Sequence, residues 1–324
     1  MTPDQHPSRR AHDIASVRAL AERYRTWGNW GPDDELGAMN YLTPDKVVKA
    51  ASLIRRGAVF SLALPMDHEG PQKGAFGRVN PQHIMLLSGA DIMAGIQDHL
   101  PETRVTDDAV YMPLQSSTQW DALCHVFHDG YFYNGRGPET VTSLGAQFNS
   151  ITKVKDRAVG RGVLLDLARH LGRDWLEPGH AIQDDDLVEC AVRQGVEVGE
   201  GDIVLVRTGQ IRQCRSQGSW GDYAGGPAPG LGLDAAHFLC ERRVAAVATD
   251  TWGMEAKPYE TPDVLGPLHI VLLVNAGVLI GEMWDMEQLA DDCADDGTYE
   301  FFVTAPPLTI TGSVGSPLNP QVIK

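Results

Sequence analysis

The sequence predicts a mixed α/β fold, and two observations support that prediction. Helix and strand signals alternate along the chain, which is typical of a sheet with helices packed against it. The 324 residues are 43% hydrophobic and 22% charged, a balance that allows a substantial buried core. We expect a single domain over residues 15–324, preceded by a polar, disordered tail over residues 1–14.

The helices are predicted from their capping residues and from the spacing of apolar residues. Thr43 suits a helix N-cap, Pro44 the first turn and Gly57 a helix end, so residues 43–57 are predicted to be helical. Further helices are expected over 184–195 and 233–243. Short apolar runs predict strands within 58–66, 112–127, 162–167, 200–209, 244–250 and 301–304. Residues 268–290 form a long apolar stretch that Asn-Ala-Gly divides into two elements.

Composition excludes several classes of function. The formal net charge of −16 repels phosphate backbones and anionic membranes, so neither nucleic acid nor a membrane is an expected partner. The five cysteines are scattered and form no C-x-x-C pair, which argues against a disulfide framework or a thiolate zinc site. These features predict a cytoplasmic protein that acts on a small molecule. Two loops rich in Gly, Pro and polar residues, 66–82 and 215–232, are candidate surface loops or active-site lids.

The stretch "QSSTQWDALCH" over residues 115–125 is the first candidate site. In a strand, Gln115, Ser117, Gln119 and Asp121 would share one face, because side chains there repeat every two residues. The flanking residues are apolar, which favours burial, and a buried polar row needs partners. We interpret the row as one side of a functional pocket, with a solvent-exposed face as the alternative.

A second candidate lies in "GPLHIVLLVNAGVLIGEMWDM", where His269 and Glu282 enclose an apolar run. Burying a carboxylate among apolar side chains is costly unless a metal ion, an arginine or a histidine meets it. The alternative is that Glu282 caps the following element at the surface. Residues expected to contact substrate are Gln115, Gln119 and Trp120 within the first stretch, His83 where an apolar run begins, and Asp250 and Trp252 at the end of a strand.

The first stretch resembles the H-x-G-T-H-x-D-x-P-x-H signature of the putative-cyclase family, which includes bacterial kynurenine formamidases and isatin hydrolase. Family-like blocks occur in order from "WGPDDELGAMNYLTP" to "PPLTITGSVGSPLNP". The resemblance implies a swivelling β/β/α fold with a central mixed sheet or barrel-like core, and a homodimer or higher homo-oligomer. It also implies a metal-dependent hydrolase of amides or esters. By position, Asp121 and His125 match the catalytic residues, and Asp121, His269 and Glu282 match metal ligands. Thr118 matches the threonine of the signature, which places it among the expected substrate contacts.

The sequence departs from the signature at both early histidine ligands, where Gln115 and Gln119 stand. A neutral amide oxygen is a weak ligand for zinc, so two ions are not expected. We expect one divalent ion, with Mn²⁺ or Zn²⁺ favoured over Mg²⁺, or no ion at all. Three readings stay open: a hydrolase, a metal-independent cyclase, dehydratase or isomerase that uses His125 with Asp121 or Glu282, and a non-catalytic binding protein.

Overall fold

The computed structural model describes residues 9–324, which contain fifteen strands. In chain order these are β1 (Val59–Ser61), β2 (Gln82–Leu87), β3 (Asp107–Tyr111), β4 (Gln119–Asp121), β5 (Val141–Thr142), β6 (Gly145–Ala146), β7 (Val159–Asp166), β8 (Ala181–Ile182), β9 (Ile203–Arg207), β10 (Gly230–Leu231), β11 (Ala246–Thr249), β12 (Leu279–Glu282), β13 (Glu300–Thr304), β14 (Gly315–Pro317) and β15 (Gln321–Ile323).

Nine of these strands form one curled mixed sheet in the order β1-β15-β13-β7-β9-β11-β12-β4-β14. The four central strands, β7, β9, β11 and β12, are parallel, and the strands on either side of them pair antiparallel. Every residue of β9, β11 and β12 is buried, as expected of parallel strands covered on both faces. The predicted α/β class with a central mixed sheet is confirmed.

Helices flank this sheet. They are α1 (Ile14–Arg23), α2 (Pro44–Ala51), α3 (Gly89–Met93), α4 (Leu167–His170), α5 (Asp184–Gln194), α6 (Gln210–Gln217), α7 (Ala235–Glu241), α8 (Pro267–His269) and α9 (Glu287–Asp296), with a π-helical segment over Ile270–Ala276. The cap of α5 is as predicted, since Gly195 ends it with φ of 65°, a left-handed conformation that glycine adopts at little cost.

Two predicted elements are shorter than expected. Helix α2 ends at Ala51 rather than at Gly57. The strand predicted within 112–127 is reduced to β4, and residues 114–118 form turns instead. The cause is at Thr118, whose hydroxyl accepts the Leu64 N–H at 2.9 Å and donates to the Met283 carbonyl at 2.6 Å. These side-chain bonds hold the backbone outside the sheet ladder.

The sequence reasoning missed α1, α6 and the hairpin of β2 and β3. Residues 1–8 of the predicted tail lie outside the described residues. Within the rest of that tail, the Arg10 guanidinium forms ion pairs with Asp184 at 3.0 Å and with Asp234 at 2.7 Å. In the part of the chain that the structure describes, no helix has the length and apolar character needed to cross a bilayer.

Candidate functional site

The candidate site lies at the base of a cavity of about 450 Å³. Two adjacent antiparallel strands supply its carboxylates, because Asp121 ends β4 and Glu282 ends β12. Asp121 pairs with Ile280 and Gln119 pairs with Glu282, so the two carboxylates are diagonal neighbours on one face. Both are almost completely buried. The sheet register therefore brings together two acidic side chains that are far apart in the sequence.

His269 reaches the same point from a short helical turn. It ends α8 immediately before the π-helical segment, a type of helix that often occurs at functional sites. Glu255 accepts three hydrogen bonds here: from the backbone N–H of Leu268 at 3.1 Å, from that of His269 at 3.0 Å, and from the His269 ring Nδ1 at 2.7 Å. Since Nδ1 donates to this carboxylate, Nε2 is the nitrogen that faces the site.

The three side chains have the geometry of a small cation site. His269 Nε2 lies 3.7 Å from Asp121 Oδ2 and 3.4 Å from Glu282 Oε1. One ligand atom from each residue lies within 4.8 Å of the others. One imidazole with two carboxylates is a donor set that Zn²⁺ and Mn²⁺ accept. The residues therefore fit one divalent ion, with Glu255 orienting the imidazole.

Gln119 lies behind the two carboxylates. Its amide nitrogen donates to Asp121 Oδ1 at 3.3 Å and to Glu282 Oε2 at 3.0 Å. Its amide oxygen is buried and has no hydrogen-bond partner in the described chain. A buried acceptor without a partner is unfavourable. Rotating the amide by 180° would turn that oxygen toward the carboxylates, where a cation would satisfy it.

Electrostatics also favour a cation at this point. Burial and, to a smaller extent, the nearby charge of Asp121 raise the pKa of Glu282 to about 7. Burial alone would lower the pKa of His269, but Glu255, Asp121 and Glu282 outweigh it and hold that pKa well above its ordinary value. Three buried carboxylates surround one imidazole. The excess of negative charge is offset by a proton on His269 or by a bound ion.

His125 lies on the cavity wall next to Asp121, with its Nε2 3.7 Å from Asp121 Oδ1. Burial lowers the pKa of His125, and this effect exceeds the opposing attraction of Asp121. The imidazole is therefore neutral near pH 7 and able to accept a proton. Gln115 and Trp252 line the same cavity.

The fold and these residues can now be compared with known proteins. A family model described as a putative cyclase matches residues 37–256, which include Asp121, His125 and Glu255. The chain belongs to the putative-cyclase family. A crystal structure described as a novel cyclase has 41% sequence identity and a TM-score of 0.85; the match covers 94% of this chain and 99% of the other.

Solved structures with lower sequence identity share the fold. Isatin hydrolase A from Labrenzia aggregata, bound to benzyl benzoate, has 20% identity and a TM-score of 0.59, with coverage of 86% of this chain and 97% of that chain. A predicted metal-dependent hydrolase from Bacillus stearothermophilus has 19% identity and a TM-score of 0.52, with coverage of 82% and 97%. Among curated proteins no match was found.

Within this cyclase-family fold, several residues predicted to contact substrate lie elsewhere. Thr118 is fully buried and bonds to the backbone, as described above. Trp120 is also fully buried. Because neighbours on β4 point to opposite faces, its side chain lies on the face away from Gln119 and Asp121. Its ring packs against Trp284 with centroids 4.7 Å apart, and its Nε1 donates to the Ala305 carbonyl. Neither side chain lines the cavity.

His83 and Asp250 are also displaced from the cavity. His83 lies on the exposed hairpin, where its Nε2 is 2.7 Å from Asp108. Asp250 is buried at the end of β11, where its oxygens accept the backbone N–H of Thr208 at 2.8 Å and of Gly209 at 2.7 Å. The carboxylate thus holds a neighbouring loop. Gln119 likewise contacts the carboxylates from behind rather than from the cavity.

Sequence reasoning missed several residues that line the cavity of this family member, among them Phe76, Arg78, Glu255 and Tyr259. Phe76 and Arg78 lie in the loop 66–82, which composition had marked as a candidate lid. Glu255 follows Trp252 by three residues, but the local sequence around an isolated acidic residue in a loop does not indicate that it belongs to a functional site. Its role depends on a contact with His269, fourteen residues later in the sequence, that only the folded chain provides.

Proposed function

We propose that this cyclase-family protein is a hydrolase that cleaves an amide or ester of a small, ring-containing substrate, in the manner of an arylformamidase. The observation that supports it is the group Asp121, His269 and Glu282 at the base of the cavity, with His125 on the wall. The distant likeness to an isatin hydrolase that binds benzyl benzoate, a ring-containing ester, is consistent with this substrate class.

We assign the residues of the site separate roles in metal binding, proton transfer and substrate orientation. Asp121, His269 and Glu282 hold one divalent ion, Mn²⁺ or Zn²⁺ in preference to Mg²⁺. When bound, such an ion acidifies a water molecule and polarises a carbonyl group. His125 accepts a proton from the attacking water as the oxygen of that water bonds to the carbonyl carbon, and then delivers the proton to the leaving nitrogen or oxygen as the C–N or C–O bond breaks. Gln115, which lines the cavity, and Trp252 orient the substrate.

The test combines elemental analysis with a hydrolysis assay. Protein purified without chelators should contain about one divalent ion per chain, and Asp121→Ala and Glu282→Ala should lose both the ion and the activity. Formanilide, a simple aryl formamide, is a suitable first substrate. Full hydrolytic activity in a sample proven free of metal would overturn the proposal.

A second candidate is a metal-independent cyclase, dehydratase or isomerase. The supporting observation is that each of the three buried carboxylates already has a partner in the chain: His269 contacts Glu255 at 2.7 Å, and the Gln119 amide donates to Asp121 and Glu282. His125 and Asp121 would then act as an acid–base pair. Activity that survives exhaustive chelation but is abolished in His125→Ala would favour this function over hydrolysis.

We also propose that the protein forms a homodimer or higher homo-oligomer. The hairpin of β2 and β3 is exposed along almost its whole length, although it carries large apolar side chains: Ile84, Met85, Leu86, Val110 and Tyr111. An isolated two-stranded hairpin is at best marginally stable in water. A second copy of the chain would cover these side chains and stabilise the hairpin.

A further inference from the structure

Arg78 brings a positive charge to the mouth of the cavity. Among the described residues that line it, Arg78 carries the one permanent positive charge. Its guanidinium carbon lies 5.3 Å from the centre of the Trp252 ring and 5.6 Å from that of Phe76. Within residues 9–324, no carboxylate forms an ion pair with it. Its charge is therefore available to a ligand.

The two aromatic rings next to Arg78 are stacked parallel to each other at the cavity. Phe76 and Trp252 are parallel to within 5°, and their centroids are 6.3 Å apart. The Phe76 side chain is 74% exposed, which is unusual for a large aromatic residue. Aromatic rings favour flat, ring-containing ligands, and a guanidinium favours the planar carboxylate that it can bind with two parallel hydrogen bonds.

The loop that carries Phe76 and Arg78 is attached to the rest of the cavity wall. Gln72 is buried, and its amide donates to the Ser116 carbonyl at 2.8 Å while accepting the Trp252 indole N–H at 3.1 Å. Asn80 Oδ1 accepts the Gln72 backbone N–H at 2.7 Å, which closes the loop on itself. These bonds hold the loop and Trp252 in one arrangement, so the hydrogen bonds of the loop fix the position of Arg78 over Trp252.

The rest of the cavity would repel an anion. Asp121, Glu255 and Glu282 line it, and the chain as a whole carries a formal charge of −16. Arg78 acts against this field. Burial and Asp121 raise the pKa of Glu282, and Arg78 offsets part of that rise; burial also raises the pKa of Asp121, and Arg78 adds to the larger effects of His125 and His269 that lower it. A cation at the mouth allows a negatively charged substrate to enter.

We propose that Arg78, with Phe76 and Trp252, selects substrates in which the ring carries a carboxylate. The carboxylate binds Arg78, the ring packs against the two aromatic side chains, and the scissile carbonyl extends toward Asp121, His269 and Glu282. This inference rests on the proposed hydrolase function and narrows its substrate class to anionic aryl amides or esters.

The test compares matched substrates with and without the charge. Formanilide is the neutral member, and 2-, 3- and 4-formamidobenzoate are the anionic members. In Arg78→Gln, kcat/KM for the preferred formamidobenzoate should fall by about 10- to 100-fold, mainly through KM, because a charge-assisted pair is lost. Formanilide should change by less than about threefold. Lys73→Gln is the matched control, since Lys73 lies in the same loop and pairs with Asp222 instead.

If kcat/KM falls equally on the charged and neutral substrates, Arg78 has a structural role and the inference is overturned. No change in kcat/KM on either substrate would also overturn it. A binding measurement separates this result from failure of the proposed function. Benzoate and benzamide are titrated by calorimetry into the Asp121→Ala protein, with and without Arg78→Gln. A preference for benzoate that disappears with Arg78→Gln supports the anion site even if no hydrolysis is found. Absence of that preference contradicts it, whatever the hydrolysis assay gives.

Discussion

At the scale of single residues, the site depends on Glu255 as much as on the three candidate metal ligands. The Glu255 carboxylate contacts the His269 ring and two backbone N–H groups, and it is buried. Carboxylates in this position raise the basicity of the imidazole and fix its orientation. A neutral amide keeps the shape of the contact but removes the charge.

We expect Glu255→Gln to weaken divalent metal binding by about 10- to 100-fold, because His269 loses its anionic partner. Competition with a chelating dye, using Mn²⁺ and Zn²⁺ separately, measures the change. Glu260→Gln is the control: Glu260 is also a buried carboxylate that accepts backbone N–H groups, from Arg10 and Leu233, but it does not line the cavity. Unchanged affinity in Glu255→Gln would contradict the assigned role.

At the scale of elements, β4 and β12 are aligned by a contact outside the sheet ladder. Met283, which follows Glu282 directly, has φ of 59°, a left-handed conformation that is strained for a residue with a side chain. Thr118 donates to its carbonyl, and Thr251 accepts its N–H at 2.9 Å. The turn before β4 therefore fixes the backbone immediately after Glu282.

Replacing Thr118 by Val keeps the shape and removes the hydroxyl. The buried Leu64 N–H and Met283 carbonyl then lose their partner, which should lower the free energy of unfolding by about 1–3 kcal/mol. Urea denaturation followed by fluorescence measures this loss. Thr118→Ser retains the hydroxyl and should be affected much less, so equal stability in the Val and Ser variants would refute the explanation.

The sequence predicted the central elements better than the pieces around the site. β9, β11 and β12 are continuous apolar runs, and a run of that kind indicates a buried strand from its own residues. The turn before β4 was predicted as strand, because the bonds of Thr118 go to Leu64 and Met283, distant residues that no local pattern reveals.

Asp121 and Glu282 stand out in the sequence because carboxylates among apolar residues are costly to bury, and the resemblance to the family assigned roles to both and to His125 and His269. The structure brings all four to one cavity. Thr118 was assigned to the same cavity because it matches the threonine of the family signature, and Trp120 because its ring would suit a ring-containing ligand. Adjacency in sequence places strand neighbours on opposite faces, and the turn takes Thr118 elsewhere.

At the scale of the whole molecule, the exposed hairpin makes the oligomeric state testable. Replacing both Leu86 and Val110 by Glu places charges on the surface proposed to contact a second copy. The wild-type protein should sediment at twice the chain mass of 35.3 kDa or more, and the variant at 35.3 kDa. Val48→Glu is the control, because Val48 is 71% exposed on α2 and away from the hairpin. A wild-type monomer would disprove the proposal.

A pH-dependent contact ties the residues before α1 to the body of the protein. His12 Nε2 lies 3.4 Å from one oxygen of Asp234, and Arg10 Nη1 lies 2.7 Å from the other. These partners, His12 foremost, lower the pKa of Asp234 to about 2. A carboxylate whose pKa is lowered by folding stabilises the folded state above the unfolded pKa of about 4, and loses that contribution as pH falls through about 2.

Asp234→Asn should therefore lower the thermal midpoint of unfolding at pH 6, and the difference from wild type should close progressively as the pH is reduced from about 4 toward 2. Scanning calorimetry at several pH values measures it. Asp263→Asn serves as control, because Asp263 is exposed and has no ion pair within the described chain. A difference between wild type and Asp234→Asn that is independent of pH would rule out the electrostatic explanation.

The order of strands in the sheet also bears on how the protein is made. β1 (residues 59–61) is an edge strand. Its single partner within residues 9–324 is β15 (residues 321–323), which lies between β1 and β13. During synthesis the ribosome releases β1 long before β15 exists, and at 5–20 residues per second the interval is on the order of tens of seconds. Throughout it, β1 is an unpaired strand that other chains can bind. Nascent chains of this protein should accordingly depend on chaperones until the last strand has emerged.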